Sequence, residues 1–173
     1  MTNSTKTTDH PIAKKPGYKK TKLGWIPAEW EVTRLGTVVK VQGGNAFKSS
    51  TFCDFGIPLI RIANIKNGRV QVDEVHVPYD SKLERFILKK GDLIIAMSGA
   101  TTGKIGVYEL DFPSYLNQRV GRFIPKRVDH TFLRYLISTN RFKHDILVDA
   151  IGGAQPNISG SDIESMYFPL PPL

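Results

Sequence analysis

Gly91-Asp92-Leu93-Ile94-Ile95-Ala96-Met97-Ser98-Gly99-Ala100-Thr101-Thr102-Gly103-Lys104-Ile105-Gly106 is the stretch on which the reading of this chain turns. Gly91-Asp92 is a turn pair. Residues 93–97 form a short apolar run rich in Leu and Ile, the length of a buried strand rather than of a helix. Residues 98–104 then supply small and hydroxyl side chains, two glycines and one cation. Residues 105–108 resume a strand. The pattern is a core strand that carries a polar, glycine-jointed loop to the surface and returns.

That loop is not a nucleotide-binding loop. The phosphate-cradling pattern needs four residues between its glycines, then Lys, then Ser or Thr. Here three residues separate Gly99 from Gly103, and Ile105 follows Lys104. A strand follows as well, not a helix whose N-terminus could hold a phosphate. On local features alone an ordinary hairpin loop remains open.

Working outward, residues 32–41 read as one strand, up to the turn chemistry of Gln42-Gly43-Gly44. The loop from Gly43 to Thr51 carries Lys48 and the hydroxyls of Ser49, Ser50 and Thr51. That donor set suits phosphates and base edges, and it suits a solvated turn equally. Residues 57–62 are the next strand, with Arg61 directed away from the core by alternation. Asn64 and Lys66 lie in the segment leading to Asn67-Gly68, a hairpin signal with a return strand after it. Ser81 with Glu84 predicts a capped helical turn. Residues 115–124 read as strand, interrupted by Asn117-Gln118-Arg119. Asn and Gln can pair with adenine and Arg with guanine. Strand alternation would put Asn117 and Arg119 on one face and Gln118 on the other.

Helices come late. Asp129 reads as a cap, and Phe132, Leu133, Leu136 and Ile137 recur at helical spacing. A second helix holds Phe142, Ile146 and Leu147 and stops at Gly152-Gly153. Arg134 of the first helix and Arg141, Lys143 and His144 of the second read as a solvated side, with phosphate contact as the other reading. Ser161 with Glu164 forms a further capping box, and residues 168–173 are extended and proline-locked. The two tryptophans, Trp25 and Trp30, read as rings seated on the core.

Composition narrows the class. At 173 residues the chain has one domain's length, enough for a real core. Hydrophobic content of 40% with 23% charged residues is that of a globular protein. No apolar run approaches the ~20 residues of a membrane helix, and the N-terminus has no secretory stretch. Cys53 is alone, so no internal disulfide or cysteine cluster is expected. These features fit a cytoplasmic protein. Residues 1–22 hold six lysines and one aspartate, +5 of the chain's +8, which leaves +3 for the rest. This Thr-, Lys- and Pro-rich segment predicts a flexible basic tail.

Read together, several motifs resemble one family. Gly-Asp and an apolar strand lead into Ser98-Gly99-x-Thr101-x-Gly103-Lys104-x-Gly106, followed by Asn117-Gln118-Arg119. Gly152-Gly153-x-Gln155-x-Asn157-Ile158-Ser159 comes next, and the chain closes on Pro169-Leu170-Pro171-Pro172-Leu173. With Trp25-Ile26-Pro27, Trp30 and Leu35-Gly36 at the start, this order is similar to the specificity subunit of type I restriction–modification systems. More narrowly, it resembles one target recognition domain, spanning about residues 24–173.

The resemblance implies a non-catalytic component that reads one half of a bipartite site on double-stranded DNA. It would guide a methyltransferase (modification) subunit that uses S-adenosylmethionine and a restriction subunit that uses ATP and Mg. Those cofactors would belong to the partners, with none bound by this chain. The sequence agrees in lacking an adenine-methyltransferase Asn-Pro-Pro-aromatic motif, a cofactor glycine fingerprint and a nucleophile elbow. The four histidines show no metal spacing. Family members usually carry two such domains joined by long helices, whereas this chain stops near where the first helix would begin. It reads as a fragment or a half-length subunit, with a second recognition domain or a self-dimer as partner.

The expectation is therefore an α+β fold: a twisted, mostly antiparallel sheet with two helices toward the C-terminal end. A tail, 1–22, precedes a DNA target recognition domain, 23–173. The expected DNA-binding residues are Lys48, Ser49, Arg61, Asn64, Lys66, Ser98, Thr101, Thr102, Lys104, Asn117, Gln118 and Arg119. Competing readings are a general nucleic-acid or protein-binding module, or an enzyme built on the 98–104 loop.

Overall fold

The computed structural model describes residues 16–150 and 156–172. Its centre is the strand Leu93–Ala96, whose four side chains are all fully buried. The reason is that this strand is covered on both faces. Leu93 and Ile95 pack with Leu133, Ile137, Phe142 and Ile146 from two helices. Ile94 and Ala96 pack the other way, against Ile60, Leu88 and Leu116 of a second sheet. A strand in the middle layer loses the polar alternation of a half-exposed one and reads as a continuous apolar run.

The class expected from the sequence holds, and the strands divide between two main sheets. The larger has six strands, in the order Val39–Gly43, Val120–Pro125, Leu93–Ala96, Ile105–Val107, Arg69–Val70 and Ile65–Lys66. Its neighbours are antiparallel except Ile105–Val107 beside Arg69–Val70. The smaller sheet orders His76–Val77, Ile57–Ile60, Ser114–Leu116 and Ile87–Leu88, with a parallel pair at its centre. The helices α1 (His130–Ser138) and α2 (Asn140–Ala150) cover the outer face of the six-stranded sheet. A short helix, α3 (Gly160–Ser165), precedes the strand Tyr167–Leu170, which pairs with Glu31–Arg34.

Several local expectations hold. The Asn67-Gly68 turn takes positive φ at both residues, 52° and 78°, as a tight two-residue hairpin requires. Asp129 caps α1 by accepting from the Thr131 and Phe132 N–H groups at 2.7 and 3.1 Å. Trp30 meets Phe132 edge to face, ring centres 6.5 Å apart.

Others are corrected. Residues 32–41 are two strands, Glu31–Arg34 and Val39–Gly43, split by a 3-10 turn at Leu35–Thr37. Leu35 is buried in the core there, and turning the chain is what seats it. The turn at Ser81–Phe86 is capped by Asp80, not Ser81, because the Asp80 carboxylate reaches the Lys82 N–H. The last capping box is Ser159 with Asp162. Glu164 is instead drawn away to accept the Val41 N–H at 2.7 Å. The expected start of the domain at Leu23 falls in a hairpin turn, since Tyr18–Thr21 pairs with Gly24–Pro27. Residues 1–15 of the expected tail, the glycine stop at 152–153 and Gln155 lie outside the described residues.

Candidate nucleic-acid interface

The central strand ends at Ala96 and hands the chain to the 98–104 loop. Hydrogen bonds close the base of this loop in both directions. Gly103 N–H donates to the Ala96 carbonyl, and Ala96 N–H to the Lys104 carbonyl, each at 2.9 Å. Inside it, Gly99–Thr101 forms a 3-10 turn, with Gly99 and Gly103 at φ of 72° and 82°. A Cβ on Gly103 would stand 3.1 Å from Ile146 of α2. The glycine is thus demanded by both its dihedral and its close approach to the helix.

A second segment bolts onto that loop. Gly99 N–H donates to the Pro156 carbonyl, Ile158 N–H donates to the Met97 carbonyl, and Ser98 bridges Asn157. Asn157 therefore serves structure through its backbone. The Thr102 hydroxyl lies 2.8 Å from the Gly99 carbonyl and 3.1 Å from that of Pro156.

The Asn117-Gln118-Arg119 segment is a turn between sheets, which corrects the alternating-strand reading. Ser114–Leu116 belongs to the smaller sheet and Val120–Pro125 to the larger. The chain must cross between layers, so strand alternation does not apply across these three residues. Asn117 N–H donates to the Ile60 carbonyl, Val120 N–H donates to the Asn117 carbonyl, and Met97 N–H donates to the Arg119 carbonyl. Asn45 pairs with the same turn, and Gly44 lies under it. A Cβ on Gly44 would fall 2.2 Å from the Leu116 carbonyl oxygen and 2.3 Å from that of Asn117. Four segments, 43–45, 98–103, 117–119 and 156–158, thus meet at one end of the stacked sheets, joined backbone to backbone.

The expected site residues divide by what their side chains do. Gln118 and Arg119 are exposed on the turn. Lys48 and Ser49 are exposed on the loop that follows Asn45. Asn117 is half-buried, and its side-chain Oδ1 accepts the Arg119 N–H at 3.4 Å. Asn64 is buried and both ends of its amide are engaged: Oδ1 accepts the Arg61 N–H, and Nδ2 donates to the Gln71 carbonyl, both at 2.8 Å. It holds a turn and offers nothing to a ligand. Thr102 is likewise buried and committed to backbone carbonyls. Arg61 is tied to Asp73. Burial pushes the Asp73 carboxyl up, but hydrogen bonds from Arg61 and the Val75 N–H outweigh it and hold the group below its usual value. The hydroxyls of Ser98 and Thr101 are buried without a hydrogen-bond partner among the described residues. Lys66 and Lys104 stand apart, on the walls of a cleft beside α1 and α2.

Sequence reasoning missed the most connected polar side chain near these loops. Arg122 donates to the Ile87 carbonyl (2.8 Å), Asp92 (3.1 Å), Gln42 (2.7 Å) and the Arg85 carbonyl (2.9 Å). Its presence in a β-branched and aromatic strand was the signal. A cation at a half-buried strand position must find partners.

Residues 27–173 match the family described as the type I restriction modification DNA specificity domain. The chain belongs to that family. It is 38% identical over 165 residues to the type I restriction enzyme MjaVIII specificity subunit of Methanocaldococcus jannaschii, covering 90% of this chain and 39% of that protein. It is 33% identical over 156 residues to the EcoAI specificity subunit of Escherichia coli, covering 85% of this chain and 26% of that one. The chain thus spans well under half the length of these relatives. Among solved structures, the HsdS subunit from Thermoanaerobacter tengcongensis superposes with a TM-score of 0.63 at 20% identity, over 92% of this chain and 36% of that one. That likeness shows the shared fold.

Proposed function

We propose that this chain is a non-catalytic DNA-recognition unit that reads one half of a bipartite target for a type I restriction–modification system. The observation that carries this is the exposed Gln118-Arg119 pair on a turn fixed by backbone hydrogen bonds to three other segments. Base-edge readout needs donors and acceptors of this kind held rigidly, with no catalytic group among them. The exposed Lys48 and Ser49 add phosphate or base contacts beside it. The family membership supports a methyltransferase subunit and a restriction subunit as partners, with S-adenosylmethionine and ATP handled by them.

Selection from a random duplex pool tests this. The expected result is enrichment of one short half-site, bound in preference to a scrambled duplex at both low and high salt. Equal binding to both duplexes, lost steeply as salt rises, is the behaviour of a nonspecific cationic surface and would refute the reading.

A further inference from the structure

A cleft of about 780 Å³ separates one edge of the six-stranded sheet from α1 and α2. Lys66 and Arg69 flank the hairpin turn on one side, Arg134 and Lys143 project from the helices on the other, and Lys104 stands between them. Among the described residues Glu109 is the single acid on its walls, and it is paired with Arg69 at 3.4 Å. The cleft therefore carries a net +4, more than the +3 that all residues after Lys22 carry together. Outside this cleft, the rest of that region is slightly acidic. Basic charge is concentrated here.

The lysines and Arg134 are exposed and make no side-chain hydrogen bond or ion pair among the described residues. Unpaired like charges around one concavity repel one another and are relieved by an anion of several charges. Leu93, Ile105 and Leu147 form part of its apolar lining, which focuses the field. Three of the four uncommitted cations are lysines, point charges suited to phosphate rather than to bidentate base pairing. The cleft is also continuous with the proposed readout end, because Thr102 and Gly103 of the 98–104 loop line it.

We propose that this cleft seats the sugar–phosphate backbone of the bound duplex and supplies sequence-independent affinity, separate from base readout at Gln118 and Arg119. The proposal rests on the DNA-recognition reading. It reassigns Arg134 and Lys143 from a solvated helix side to ligand contact.

The test uses the full chain and the double variant Arg134→Gln/Lys143→Gln, titrated with the selected duplex and with a scrambled one over a salt series. Each lost phosphate contact lowers the slope of log affinity against log salt by about 0.9, so the variant slope should be shallower by about 2. Affinity should fall by the same factor on both duplexes, leaving their ratio unchanged. A folded variant, checked by its melting curve, with an unchanged salt slope would overturn the cleft assignment. Loss confined to the selected duplex would overturn it too. Those outcomes leave the recognition reading standing as long as the unmodified chain discriminates between duplexes. If the unmodified chain binds DNA without discrimination and the variant still loses slope, the recognition reading falls and the cleft stands.

Discussion

Replacing Arg122 with methionine should destabilise the domain by about 2–3 kcal/mol. The guanidinium sits on the strand Val120–Pro125 of the larger sheet and donates to Ile87 in the smaller one, so it ties the two layers together. It makes four hydrogen bonds, one of them to the Asp92 carboxylate, and the two side chains are only 13% and 24% exposed. Removing one partner of a fully buried ion pair costs about 3–5 kcal/mol. Two features lower that figure here. Some water reaches both groups, and Asp92 keeps a hydrogen bond from the Lys89 N–H at 2.9 Å. For a chain of this size, 2–3 kcal/mol corresponds to a fall in melting temperature of about 4–12 °C. Thermal unfolding followed by circular dichroism measures it directly. Asp92→Asn, alone and combined with Arg122→Met, completes a double-mutant cycle. The combined loss should be smaller than the sum by at least about 0.5 kcal/mol, because both changes remove the same interaction. A melting temperature within about 2 °C of the unmodified chain, or strictly additive losses, would refute the view that Arg122 locks the layers.

Three further outcomes are expected. Arg119→Ala should cost about 1–3 kcal/mol on the selected duplex and relax preference at one base pair if it contacts guanine; a folded variant with unchanged base preference removes Arg119 from the readout set. Gly44→Ala should both destabilise the fold and blur discrimination. Its Cβ would meet the backbone oxygens of residues 116 and 117 at 2.2 and 2.3 Å, so the 117–119 turn must move, and unchanged melting together with unchanged base preference would count against that. Asp129 has its carboxyl held below the ordinary 3.8 by the Phe132 and Thr131 N–H groups. Its capping contribution is full above that value and is lost as pH falls below it toward the lowered folded-state value. Asp129→Asn, an equally good cap without a titrating group, should flatten this part of the acid-unfolding profile; an identical profile would show that the cap is not responsible.

Local physics made part of this protein legible from its residues. The run at 93–97 had to be a buried strand, because its length and apolar continuity exclude both a helix and an exposed edge. Asn67-Gly68 had to turn, since few other pairs accept two positive φ values. Asp129 had to cap a helix, because its acceptor sits before an apolar periodicity of 3.6. The family resemblance rested on motifs of the same local kind. Tertiary structure decided what depends on distant partners. Residues 117–119 looked like strand until the flanking strands proved to belong to different sheets. Thr102 looked like a donor to DNA until the Pro156 carbonyl, 54 positions along the chain, was found within reach of its hydroxyl. Arg134 and Lys143 looked like a helix's wet side until the hairpin carrying Lys66 and Arg69 was found across a cleft from them. These residues lie some 65 to 77 positions apart in the chain. No periodicity or spacing encodes such a meeting, because it arises only when the apolar faces of sheet and helices are buried together.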